Sequence, residues 1–201
     1  MSTSRDGIRP AARIIGVCGI ASAVLVLAAP GVGSQDVAGT IWVLGWLLLL
    51  PFLAGVADLA RQAGGRAAWI APAIPAAGAV LVALHLVTTG VEHTANGLSK
   101  SSAAHEPLHE VGAALFGLGM LPFGMALVAA AVAGLAGRAL PRWLAAAALV
   151  IGLVAVVNGT LLGTEMAWGF LLSTLWVFVA GVTFVVRGVA VTQERQPAFT
   201  D

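Results

Sequence analysis

Charged residues are spaced so widely along this chain that they divide it into six uninterrupted apolar blocks: residues 14–35, 37–57, 67–91, 111–137, 143–164 and 166–186. Each block holds between 21 and 27 residues. A helix needs about 20 apolar residues to cross ~30 Å of hydrocarbon. None of the blocks alternates apolar and polar positions with the period of two that marks a barrel strand. A helix satisfies its own backbone groups in lipid, so helices are the element that such blocks can form there. The pattern predicts an all-α membrane protein, a bundle of six transmembrane helices. Their expected spans are about 14–30, 39–58, 67–91, 107–136, 142–162 and 166–187, within a single domain over 14–188. Tails at 1–13 and 189–201 flank it, and only the connection over 92–110 is long. No room is left for a separate soluble domain.

Composition narrows the class further. Of 201 residues, 59% are hydrophobic and 9% charged, against roughly a quarter charged in an ordinary soluble domain. One cysteine excludes a disulfide scaffold, and the apolar content excludes disorder. A formal net charge of +1 provides no basic field for nucleic acid.

The basic residues set an expected orientation. Arg5, Arg9, Arg13, Arg61, Arg66, Arg138, Arg142, Arg187 and Arg195 all fall on one side if the six segments alternate, and Lys100 alone falls on the other. That asymmetry puts both termini in the cytoplasm, in a multi-pass protein of the cell membrane. A signal peptide is the competing reading of the N-terminus, because three arginines precede an apolar run and small residues. Keeping the first segment as a helix preserves an even count. Trp42 and Trp168 then fall near the outer interface and Trp69 and Trp143 near the inner one, while Trp46 and Trp176 fill space between helices. Cys18 lies in the first segment, where a structural thiol is expected.

Helix contacts are expected to run through small residues, Ala113, Gly117, Gly124, Ala129, Ala133 and Gly137. Pro51, Pro72, Pro75 and Pro122 interrupt the backbone ladder, as kinks that tune packing or as breaks beside a cavity. A faint repeat links the even-numbered segments: Trp42-x9-Phe52 with Trp168-x9-Phe178, and Leu50-Pro51-Phe52 with Leu121-Pro122-Phe123. Duplication into three helical hairpins explains it, and chance in a Leu/Ala/Gly-rich chain explains it nearly as well.

The ionisable residues expected on the outer side are the informative ones. All four histidines belong there, with Glu92, Glu106, Glu110 and Glu165. His85, Thr89, Glu92 and His93 follow at i, i+4, i+7 and i+8, which reads as one helical face. Glu106 and His109 form a Glu-x-x-His pair at the top of the fourth segment, half of what a di-iron carboxylate bundle requires. His105-Glu106-Pro107-Leu108-His109 matches H-E-x-x-H literally. A zinc-protease site needs both histidines on one helix, and Pro107 is expected to leave His105 outside it. The candidate metal set is therefore His85, Glu92, His93, Glu106, His109 and Glu165, suited to zinc, copper or iron. An ordinary wet loop, a pH-responsive surface and haem ligation by His85 and His109 are the alternatives. His85 is the strongest single candidate, because a titratable group within the membrane is costly. Asp58 reads as a solvated or Arg61-paired carboxylate, and Asn158-Gly159-Thr160 fits a glycosylation sequon. No phosphate loop, Ser-His-Asp set or Cys-x-x-Cys pair is present.

Leu121-Pro122-Phe123-Gly124-Met125-Ala126-Leu127, Leu140-Pro141-Arg142-Trp143-Leu144 and the run Leu175–Val182 give residues 121–188 a resemblance to a family of uncharacterised actinobacterial integral membrane proteins. Arg13-Ile14-Ile15-Gly16 is similar too. The resemblance implies a six- or seven-helix bundle in a bacterial cytoplasmic membrane and brings no activity or site. Three functions are expected to compete. The first is a non-enzymatic binding or accessory component of the bilayer, alone, as a homo-oligomer or in a membrane complex. The second is a metal-dependent membrane enzyme using the outer His/Glu cluster. The third is a small solute or ion transporter, weakened because no charge lies near the midplane.

Overall fold

The computed structural model describes residues 8–137, 139–162 and 168–187. Seven α-helices follow in chain order: α1 Ile8–Ala28, α2 Gln35–Gln62, α3 Gly65–Ile70, α4 Ala73–Gly97, α5 His105–Gly137, α6 Arg142–Val157 and α7 Trp168–Arg187. No strand occurs among the described residues. Six helical spans are long and apolar enough to cross a membrane, with α3 and α4 counting as one, Ala67–Gly97.

The helices are longer than the charge-free blocks because a helix continues into polar sequence until a cap or proline stops it. α1 begins at Ile8, inside the expected tail, and α2 runs from Gln35 to Gln62. The third span is broken where a continuous helix was expected. Ala71 and Pro72 form a turn between α3 and α4, which puts Pro72 at the N-cap and Pro75 in the first turn of α4. A missing N–H has no cost there. Gly64 and Gly65 take φ of 72° and 55° to turn the chain from α2 into α3, a conformation that L side chains resist.

The long helices form a ring in chain order. α1 packs on α2, α2 on α4, α4 on α5, α5 on α6 and α6 on α7, and α7 returns to α1. α5 is the most buried of them. Two glycine crossings draw the ring tight. A Cβ added to Gly124 would lie 2.5 Å from the Gly152 carbonyl oxygen, and one on Gly152 would lie 2.9 Å from the oxygen of Gly124. Seven residues away on each helix, a Cβ on Gly159 would lie 3.0 Å from the Gly117 oxygen. This is the antiparallel seam that small residues at heptad spacing produce. Gly16 and Gly181 repeat the relationship between α1 and α7 at 2.6 and 2.7 Å.

Inside the ring the core is aromatic and aliphatic. Trp46, Phe52, Phe123, Trp176 and Phe184 are buried, as the two deep tryptophans were expected to be. The outward faces carry large exposed apolar side chains, among them Ile14, Leu44, Met125 and Val150. The suggested repeat does not put its members in like places: Phe52 is fully buried and Phe178 is 36% exposed.

Candidate cavity at the histidine end

Among the described residues, Arg13, Arg61 and Arg142 stand toward one end of the ring and the four histidines toward the other. At the histidine end a cavity of about 440 Å³ opens between Ala29 and Pro30 just past α1, the start of α2, the end of α4 and the start of α5. Trp42 and Phe116 supply its aromatic walls, with ring centroids 6.4 Å apart and planes 33° from parallel. Ala38, Gly39, Gly112 and Ala113 line it too, and their small size leaves the space open. Thr88 and Thr89 also line it, but their hydroxyls donate to the carbonyls of Leu84 and His85 at 2.9 and 2.8 Å. The threonines therefore add little free polarity to the wall. Glu92 is the one ionisable residue in the lining among the described residues.

A wider groove of about 670 Å³ adjoins the cavity between α2 and α4 and shares Ala38, Gly39, Thr89 and Glu92 with it. Asp36, His93 and Asn96 line the groove. His93 Nδ1 lies 3.8 Å from Asp36 Oδ1, both largely exposed, a pair of little energetic weight.

Glu92 is held in place from α5. His109 Nδ1 lies 2.7 Å from its Oε2, a short contact in which the ring N–H donates to the carboxylate. The carboxylate lies over Gly112, where an added Cβ would collide with it. His105 stands edge-on to His109, centroids 4.8 Å apart, and its Nδ1 lies 3.0 Å from the Ala95 carbonyl oxygen. His105 is therefore the first residue of α5, not a loop residue outside it. Its N–H donates to Ser102, and Pro107 in the first turn is no obstacle.

The five expected metal ligands among the described residues do not converge. Glu92 and His109 meet; His93 turns to Asp36; Glu106 is exposed; Glu165 lies outside the described residues. No group of three His, Cys, Asp or Glu residues able to hold a metal occurs among the described residues. Helix geometry explains the dispersal. At ~100° per residue, i+7 falls ~20° to one side of His85 and i+8 ~80° to the other. Glu92 thus points to α5 and His93 to α2.

His85 sits below the cavity rather than in it. It is 1% exposed, flat against Phe116 with centroids 5.4 Å apart, and edge-on to Trp46 at 3.9 Å. Gly119 of α5 makes room: a Cβ there would lie 2.6 Å from the imidazole. Neither ring nitrogen has a hydrogen-bond partner among the described residues, and neither does the Trp46 indole nitrogen.

Four more residues take places the sequence did not indicate. Trp42 is half-buried against Trp46, Phe116 and Phe170, and so lines the cavity. Asn158 is buried, and its side chain accepts the Gly169 N–H at 3.0 Å, serving an otherwise orphaned donor at the start of α7. A glycan cannot be attached at that depth, so the sequon match is overturned. Asp36 and Phe116 carried no motif, and only their common depth could have linked them to Glu92. Asp58 matches its expectation, exposed, 3.9 Å from Arg61 and accepting from Gln62 at 2.6 Å.

The arrangement is fit to hold a mainly apolar molecule, with one carboxylate at the side of the cavity. No family model, curated protein or solved structure matches the chain.

Proposed function

We propose that this chain is a small multi-pass protein of a bacterial cytoplasmic membrane, with both termini on the cytoplasmic side. In this reading it acts as a non-enzymatic binding component that takes up a small, largely apolar molecule at its outer end. The observation that carries this is the 440 Å³ cavity between α1, α2, α4 and α5, walled by Trp42 and Phe116. Its size falls in the range of ligand pockets, and apolar lining with few polar groups is their usual chemistry. The exposed apolar faces of the helices suit the hydrocarbon core, and the nine-to-one distribution of basic residues supports the orientation. Metal-dependent chemistry has no comparable support, because among the described residues His109 pairs with Glu92 and His93 with Asp36 and no three ligands gather.

The test uses a neutral naphthylamine dye that brightens in apolar surroundings. It is titrated against the protein in nanodiscs, with empty discs as the blank. Saturable binding is expected, and Ala113→Trp should abolish it by filling the cavity without lowering the melting temperature. Unchanged dye binding by a stably folded Ala113→Trp protein would remove the cavity as the site.

A further inference from the structure

The lining of the cavity also indicates what kind of molecule fits it. Glu92 is its one ionisable residue among the described residues, and the groove next to it adds a second carboxylate, Asp36. Among the described residues, no lysine or arginine lines either space. The described arginines outside the cavity, Arg13, Arg61 and Arg142, stand toward the opposite end of the ring. A carboxylate beside apolar walls loses hydration that neither an apolar nor an anionic guest can replace, whereas a cationic guest can. Trp42 and Phe116 present ring faces to the same space, and aromatic faces attract cations. His109 takes one edge of the Glu92 carboxylate through Oε2 and Gly112 lies beneath it, so the group is positioned before a ligand arrives. A carboxylate has lone pairs to spare beyond that one contact.

Resting on the cavity reading above, we infer that the ligand is an amphipathic organic cation, its charge at Glu92 and its apolar body against Trp42 and Phe116. A free lipophilic ammonium or similar cation fits better than a zwitterionic phospholipid. The phospholipid brings a phosphate that no basic residue in the lining receives.

Tetraphenylphosphonium and tetraphenylborate provide the test, since they share a shape and carry opposite charges. Each is titrated against the dye-loaded protein in nanodiscs, with empty discs as the blank. The phosphonium should displace the dye in preference to the borate. Glu92→Gln should weaken phosphonium binding roughly 10- to 100-fold, the scale of a lost charge-assisted contact, measured relative to the dye affinity of the same variant. Glu92→Asp should retain the preference, which separates lost charge from lost fold. Equal displacement by both ions, or an undiminished preference in Glu92→Gln, would overturn the cation inference and leave the cavity reading standing. Dye binding that neither ion disturbs would do the same. Failure of the dye itself to bind would sink both. Phosphonium binding in phosphatidylglycerol discs but not in phosphatidylcholine discs would make a choline headgroup the occupant and overturn the choice of a free cation.

Discussion

His85 of α4 lies flat against Phe116 of α5, ring planes 4° from parallel, with both imidazole nitrogens buried and without a hydrogen-bond partner among the described residues. Orphaned buried polar atoms cost roughly 1–3 kcal/mol each. An apolar ring of similar shape removes that cost, so His85→Phe should raise the melting temperature in detergent. A fall in melting temperature for His85→Phe, with His85→Gln holding the parental value, would mean that the imidazole has a polar partner.

Trp46 and Trp176 are both buried, yet only one uses its indole N–H. Trp176 Nε1–H donates to the Leu144 carbonyl at 3.0 Å, tying α7 to α6, while Trp46 Nε1 has no partner among the described residues. Trp→Phe removes the same ring volume at either site. Trp176→Phe should therefore cost about 1 kcal/mol more than Trp46→Phe, the net value of one buried hydrogen bond. Equal losses in chemical unfolding would show that the Leu144 contact contributes nothing.

The glycine crossing of α5 and α6 leaves no room for a side chain. Gly124→Leu should destabilise the bundle by about 1–3 kcal/mol or more through overpacking. Gly90→Leu should be nearly neutral, since nothing lies within 4 Å of a Cβ there. Matching melting temperatures for the two variants would refute close approach at this seam.

How much of this could be seen in the sequence depends on which physical scale each feature obeys. The six spans are a matter of length and hydropathy, so spacing between charges located them all. The α3–α4 break was only half visible: Pro72 was evident as an interruption, but whether a proline kinks a helix or starts a new one depends on the turn before it. The glycine seam was partly visible, since Gly117 and Gly124 stood out on α5, but their partners Gly159 and Gly152 needed the register between two helices. The candidate site was least visible. Glu92 and His109 could be named, but their pairing and the diversion of His93 to Asp36 depend on rotations of ~100° per residue and on which helix stands on each side. The cavity is made by what Gly39, Gly112 and Ala113 lack, and small residues in a Leu/Ala/Gly-rich chain give no signal of the space they leave.

Whether the cavity opens to water at the outer face is decided most directly by cysteine labelling in whole cells, in a Cys18→Ser background. Ala113 lines the cavity about 12 Å along α5 from His105, at 1.5 Å per residue. Leu118, less than two turns further on, is exposed on the outside of the ring. Ser101→Cys in the long connection and Ala63→Cys at the end of α2 report the two sides. A membrane-impermeant thiol reagent should label cysteines at Ala113 and Ser101 and leave those at Leu118 and Ala63 unreacted. Labelling at Ser101 with none at Ala113 would mean that the cavity is sealed from the outside, and labelling at Ala63 but not at Ser101 would mean that the protein is inverted; either result contradicts an outward-facing binding site.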